Sequence, residues 1–91
     1  MLIHKLLDGV SSAGAGTEAN INKHQNRIEG VAQVDISDTA TVEIQGRMAP
    51  GGTWITLATF TETDAARVVM MPFMRAEVTS YSAGTISAWV G

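Results

Sequence analysis

Short segments with a two-residue period fill this chain from Val31 onward. Residues 41–45 place Val42 and Ile44 between polar neighbours, and residues 75–81 repeat the alternation. Successive side chains of a strand point to opposite faces, so this period is the one that a half-buried β-strand requires. Turn residues close each segment, and none of the segments has the length or the 3.6-residue period of a helix. The pattern predicts an all-β protein.

The spacing of these segments predicts a small antiparallel β-sandwich or barrel of about seven strands. The expected strands are residues 2–7, 27–36, 41–47, 53–60, 67–71, 74–81 and 85–90. We expect the third and fourth strands to form a hairpin around Pro50-Gly51-Gly52. The last two strands should form a second hairpin, with Gly84 at positive φ in its loop.

Residues 9–26 interrupt the strand pattern and are predicted to form an irregular arm or long loop. Residues 11–16 contain only Ser, Ala and Gly, and residues 20–26 are almost entirely polar. Neither stretch has the apolar period of a helix. We therefore expect one domain, residues 1–91, that consists of a sandwich with an N-terminal arm.

Composition excludes several classes of function. The chain has 91 residues and no cysteine, so it can form neither a disulfide framework nor a thiolate metal site. Its six basic residues are scattered and its net charge is −3, which argues against nucleic acid as a partner. Asp8 interrupts a signal-peptide core, and no apolar run approaches the ~18 residues of a membrane span. We expect a soluble protein made in a cytoplasm, without a membrane partner.

The motifs that could indicate catalysis lack their required context. Residues 14–19 fit G-x-G-x-x-A, but no apolar helical face or parallel crossover follows them. His4 and His24 lack the ligand spacing of a transition-metal site, and no serine lies in a G-x-S-x-G turn. We expect no enzyme activity, no cofactor and no metal.

The aromatic and methionine residues allow two interpretations each. Trp54 and Trp89 could fill the core or a subunit contact, which we favour, or could stack on sugar rings if they are exposed. Met71 and its neighbours around Phe73 could be core filler or a soft oligomer interface.

Three sequence blocks, in one order, resemble a family of small structural proteins encoded in tailed-bacteriophage genomes. These blocks are residues 42–57, 74–81 and 84–89, and the Gly-Ala-Gly-Thr at 14–17 is also similar to the family. The resemblance implies a virion component. Within that class we expect a capsid decoration or cement protein on the capsid surface, made in the host cytoplasm, that binds the major capsid protein as a homotrimer. The alternative is a tail or fibre module that binds host glycan.

The arm and the methionine-rich patch are the expected capsid or subunit interface. Small residues in the arm would allow close backbone approach, and its amide and imidazole groups could form hydrogen bonds across the contact. The predicted interface residues are Ser11, Ser12, Gly14, Gly16, Thr17, Asn20, Asn22, His24, Met71 and Phe73.

Overall fold

The computed structural model describes residues 3–21 and 28–91, and these residues form nine β-strands without a helix. The all-β prediction is confirmed. The strands are His4–Val10 (β1), Gly14–Ala15 (β2), Ala19–Asn20 (β3), Glu29–Ile36 (β4), Thr39–Arg47 (β5), Ile55–Phe60 (β6), Asp64–Val69 (β7), Phe73–Ala83 (β8) and Ile86–Val90 (β9). The two additional strands relative to the predicted seven are β2 and β3.

The strands form two antiparallel sheets. Sheet A has the order β1-β9-β4-β7, and sheet B has the order β2-β8-β5-β6. Strand β3 also pairs with β8, so β2 and β3 lie one after the other along the edge of sheet B. Each sheet contains strands from both halves of the chain, because β9 pairs with β1 and β4 while β8 pairs with β5.

The hydrophobic core lies between the two sheets and follows the two-residue alternation. In β4, Ala32 and Val34 are fully buried while Val31 and Gln33 are exposed. The largest fully buried side chains come from both sheets and are Leu6, Ile44, Met74, Ile86, Val34, Val42, Val78 and Val90. Burying a side chain of this size stabilises a fold by about 1.5–3 kcal/mol relative to leaving it exposed.

The structure differs from the predicted arm of residues 9–26 at residues 9–10, which end strand β1, and over residues 14–21. Besides the β2 and β3 pairings, Gly16 N–H donates to Ala76 O at 2.8 Å and Ile21 N–H donates to Pro72 O at 2.8 Å. A Cβ on Gly16 would lie 2.2 Å from Leu6 O, so only glycine allows this approach to β1. This part of the arm is therefore an edge of the sandwich, and residues 22–26 lie outside the described residues.

The first predicted hairpin is confirmed. Strands β5 and β6 pair in antiparallel register, and between them Gly52 N–H donates to Ala49 O at 2.9 Å. Gly51 has φ of 82° and follows Pro50. This geometry is that of a type II turn, in which proline presets the first central position and glycine supplies the positive φ of the second.

The second predicted hairpin is wrong, although Gly84 does have a positive φ of 97°. Strand β8 belongs to sheet B and β9 to sheet A, so the two strands do not pair. The chain crosses between the sheets at Gly84, where Thr85 N–H donates to Ser37 Oγ at 2.7 Å. A loop signal with one glycine is compatible with either arrangement, and the sheet that the next strand joins is set by long-range pairing.

Alanine at Gly84 should destabilise the domain more than alanine at Gly51. Both sites have positive φ, so each substitution should cost about 1–2 kcal/mol in backbone strain. The new Cβ at Gly84 would also lie 2.6 Å from Ser37 Oγ and 2.8 Å from Asp38 N, whereas nothing lies within 4 Å of it at Gly51. Urea unfolding of Gly84→Ala and Gly51→Ala measures the difference, and equal losses of stability would contradict the close contact.

Candidate functional site

The outer face of sheet B carries a connected group of polar side chains around one tryptophan. The guanidinium carbons of Arg47 and Arg75 lie 4.4 and 4.3 Å from the centroid of the Trp54 ring. Contacts of this kind contribute about 0.5–1 kcal/mol each at exposed sites. We call the group the Trp54 cluster, and its members are Glu43, Gln45, Arg47, Trp54, Thr56, Arg75 and Glu77.

Strand register brings these side chains together. Because Val42 and Ile44 point into the core, the alternate residues of β5 point outward. Gln45 lies directly opposite Arg75 on one side and Thr56 on the other. A row of paired positions across three strands thus forms one polar surface.

Gln45 is the centre of the cluster. Its side chain is only 6% exposed, although it lies on the outer face. Its Nε2 donates to Glu43 Oε1 at 3.1 Å and to Glu77 Oε1 at 3.0 Å, while its Oε1 accepts from Arg75 Nε at 2.7 Å. Glu43 and Glu77 are directly opposed carboxylates, an arrangement that destabilises a sheet unless donors lie between them. The Gln45 amide supplies those donors.

Arg47 connects the cluster to the N-terminal segment. Its Nη2 forms an ion pair with Glu18 Oε1 at 2.7 Å, and its Nη1 donates to Gly52 O at 3.4 Å. Glu18 lies between β2 and β3, so this ion pair joins the edge of sheet B to its outer face.

The outer face of sheet A differs from that of sheet B, because exposed apolar side chains lie there among the charged and polar ones. Val31 is 51% exposed, Val69 is 52% exposed and Ile3 is 66% exposed. Ile3 and Val31 line a shallow groove with Gln33 and the half-buried Trp89. We call this surface the Trp89 face, and its members are Ile3, Lys5, Val31, Gln33, Val69 and Trp89.

Pairing across sheet A places a polar group on each side of the Trp89 ring. Gln33 and Lys5 both lie directly opposite Trp89, on β4 and β1 respectively. Lys5 Nζ lies 5.6 Å from the ring centroid, and Gln33 Nε2 donates to Asp35 Oδ1 at 3.1 Å. The ring therefore has a carboxamide and an ammonium group beside it.

The predicted interface residues do not form one surface. Asn20 and Phe73 are brought together as a directly opposed pair, next to Arg47. Met71 packs against the core instead, and Gly16 lies against β1. Four others are exposed on or beside β2, namely Ser11, Ser12, Gly14 and Thr17. Asn22 and His24 lie outside the described residues.

Sequence reasoning missed most of the Trp54 cluster. Trp54 was expected in the core or in a subunit contact. The core alternative is wrong, because the ring is half-buried on the outer face and Ile55 beside it is exposed, and the subunit contact stays a prediction. The available signal was the run Glu43, Gln45 and Arg47 at every second position of β5, which places three long polar side chains on one face.

Comparison of the chain with protein-family models, with curated proteins and with solved structures found no match in any of the three. Within residues 3–21 and 28–91, no helix is long and apolar enough to cross a membrane. The same residues contain no group of three or more histidine, cysteine or acidic side chains that could hold a metal ion. The two outer faces differ, because the polar side chains on sheet B bond to one another whereas sheet A exposes several apolar side chains.

Replacing Gln45 with alanine should destabilise the domain far more than replacing Gln33. Gln45→Ala leaves Arg75 Nε without its acceptor and removes the donor that lies between the opposed carboxylates of Glu43 and Glu77. An unsatisfied buried polar group costs about 1–3 kcal/mol. Gln33 is an exposed glutamine on the other outer face, and Gln33→Ala should change stability by less than about 0.5 kcal/mol. Urea unfolding of both variants tests this, and similar losses would show that the cluster contributes little.

Glu43 should contribute stability that is lost in acid. The hydrogen bond from Thr56 Oγ1 at 2.8 Å, followed by the bond from Gln45, lowers the pKa of Glu43 below its usual 4.5. A lowered pKa in the folded state means that the contribution is complete above the unfolded-state pKa and disappears as the pH falls through the folded-state pKa. Thr56→Val should raise the pKa of Glu43 toward 4.5, as measured by NMR titration of its carboxyl carbon. An unchanged pKa would show that Thr56 does not hold the carboxylate.

Proposed function

We propose that this chain is a structural protein of a tailed-phage particle, a capsid decoration protein that docks on the major capsid protein and reinforces the head lattice. The resemblance in the blocks at 42–57, 74–81 and 84–89 supports the phage class. These blocks lie mainly on β5, β6, β8 and β9, which include the central strands of both sheets. The docking role is supported by one observation above all, the exposed apolar side chains of the Trp89 face.

The two-residue alternation of a strand places polar residues as readily as apolar ones at the outward positions of sheet A. Val31 and Val69 are nevertheless more than half exposed there, and the exposed Ile3, just before β1, adds to the apolar surface. Contiguous apolar patches on small proteins mark interaction sites. Removing such surface from water contributes roughly 25 cal/mol per Å² to association, before the entropic cost of docking.

Charged residues border the apolar centre of the Trp89 face. Glu29 lies directly opposite Val69, Arg67 lies opposite Val31, and Lys5 lies opposite Trp89. An apolar centre with a polar rim is the usual composition of a protein–protein contact. In this proposal the Trp54 cluster, whose charged groups bond to one another, faces away from the lattice.

A glycan-binding tail or fibre module is the second candidate, and the surroundings of Trp89 favour it specifically. A carboxamide beside an aromatic ring can hydrogen-bond a sugar that stacks on that ring, and Gln33 lies opposite Trp89. Trp54 is less suited to the task, since two guanidinium groups lie 4.4 and 4.3 Å from its ring centroid, whereas Trp89 has one ammonium group at 5.6 Å. A glycan array with Trp89→Ala as the control distinguishes this candidate from the first.

A charge placed in the centre of the Trp89 face should abolish docking without unfolding the protein. Val31→Glu puts a carboxylate opposite Arg67, so the variant should fold with an unchanged circular dichroism spectrum. We expect it to cosediment at least about tenfold more weakly with heads that lack the protein, taken from the phage that encodes it, since 1.4 kcal/mol of lost affinity is a factor of ten.

Thr79→Glu is the matched control, because it adds the same charge to an exposed position on the outer face of sheet B. It should bind heads as the unchanged protein does. Wild-type binding by Val31→Glu would exclude the Trp89 face as the docking surface. Failure of the unchanged protein to cosediment with heads would overturn the decoration function itself.

A further inference from the structure

Strand β7 is the one continuous sheet edge among the described residues. The described sheets have edges at β1, at β6, at β7 and at the β2 and β3 pair. The register of β1 shifts twice, that of β6 shifts once, and β2 and β3 have two residues each. Strand β7 instead pairs with β4 through six consecutive residues without a shift. Bulges and short strands prevent pairing with another chain, and an unbroken edge permits it.

The backbone of β7 presents its odd-numbered residues to the open side. Met70 N–H donates to Ile28 O at 2.7 Å, so the even-numbered positions bond toward β4. In an antiparallel ladder the bonding direction alternates from residue to residue. The N–H and C=O groups of Ala65, Arg67 and Val69 therefore point away from β4, and all three residues are exposed.

We infer that β7 pairs with β7 of a second copy of this chain, antiparallel, about a two-fold axis at Ala66. The pairing would join two four-stranded sheets into one continuous sheet. The inference rests on the edge geometry and does not depend on the proposed phage function. An isologous contact of this kind closes at two copies, in place of the trimer that the sequence led us to expect.

The position of the axis follows from side-chain direction and charge. Directly opposed residues in a sheet point to the same face, so each inward-facing residue of one β7 must pair with an inward-facing residue of the other. A two-fold axis perpendicular to the sheet meets this condition only if it passes through a residue that pairs with the same residue of the second copy. Only two registers keep five residues of β7 paired, residues 64–68 around Ala66 or residues 65–69 around Arg67. The second places Arg67 opposite Arg67 of the other copy, and directly opposed like charges are destabilising. The first places Arg67 opposite Ala65 and brings two small Ala66 side chains together.

One contact opposes the pairing. Asp64 Oδ1 accepts the Ala65 N–H at 2.7 Å, and that N–H would have to bond to the second copy instead. The Asp64 carboxylate thus competes with the second copy for this N–H and weakens the dimer. Asp64→Ala removes the competing acceptor and should lower the dissociation constant of the dimer.

Cysteine crosslinking tests the register, since the chain has no cysteine of its own. At the axis the two Ala66 Cα atoms would be about 4.5 Å apart, the spacing of a non-hydrogen-bonded pair and within disulfide range. The two copies of residue 65 would lie diagonally, roughly 7–8 Å apart, which is too far for a disulfide. Mild oxidation should convert Ala66→Cys to a covalent dimer and leave Ala65→Cys monomeric on a non-reducing gel. Equal crosslinking of both, or of neither, would overturn the inference.

A charge swap at Ala65 tests the same contact without a covalent bond. Ala65→Lys places a cation opposite Arg67 of the second copy, and Ala65→Glu places an anion there. In sedimentation velocity of the isolated protein, Ala65→Lys should raise the dimer dissociation constant about tenfold or more above that of Ala65→Glu. Equal constants, a trimer, or a monomer at millimolar concentration would each contradict the two-fold pairing. Neither the crosslinking nor the sedimentation experiment contains phage heads. A failure of the dimer inference can therefore be distinguished from a failure of the docking proposal.

Discussion

The long ladder between β5 and β8 is the contact on which the other features of this molecule depend. Nine positions of β5, from Thr39 to Arg47, have a partner on β8. The inward rows of this ladder, such as Val42 with Val78, form one wall of the core. The outward rows, such as Gln45 with Arg75, form the Trp54 cluster. Strands β6, β2 and β3 then attach to its two sides.

The two sheets use their outer faces in opposite ways. On sheet B the polar side chains of the Trp54 cluster bond to one another, and Gln45 at their centre is buried. On sheet A the outward positions include valine and isoleucine side chains that are more than half exposed. Polar groups that already bond to one another gain little binding free energy from a partner. Apolar side chains gain binding free energy when a partner buries them away from water. The proposed docking on sheet A depends on this asymmetry.

The sequence allowed the fold class and seven of the nine strands to be predicted, because those strands are marked by local signals: a two-residue period in some, such as β4 and β5, and short apolar runs between turn residues in others, such as β7. Strands β2 and β3 have two residues each, too few for any period, so their region could only be described as irregular. The crossing at Gly84 could not be distinguished from a hairpin, since the glycine has positive φ in both cases. The sheet that a strand joins depends on pairing with strands that are distant in sequence.

The candidate surfaces were harder to predict for the same reason. Trp54 contacts Arg47 and Arg75 only because β5 and β8 are in register, and a single strand carries no record of that register. Asn20 and Phe73 were expected to share an interface and do lie opposite each other, whereas Met71 packs inward. Composition can identify residues that suit a contact, but the face on which each lies depends on pairing across the sheet.

The pairing of β1 with β9 ties the order of synthesis to the order of folding. His4 lies opposite Val90, so the first described strand completes its sheet only when the last one has been made. Until then Leu6 and Leu7, which are buried in the finished domain, lack the neighbouring strand of their own sheet. Chains dominated by such distant pairings fold on the order of milliseconds to seconds. A nascent chain that lacks β9 therefore leaves β1 without its strand partner, and sheet A reaches its finished order only once β9 has been made.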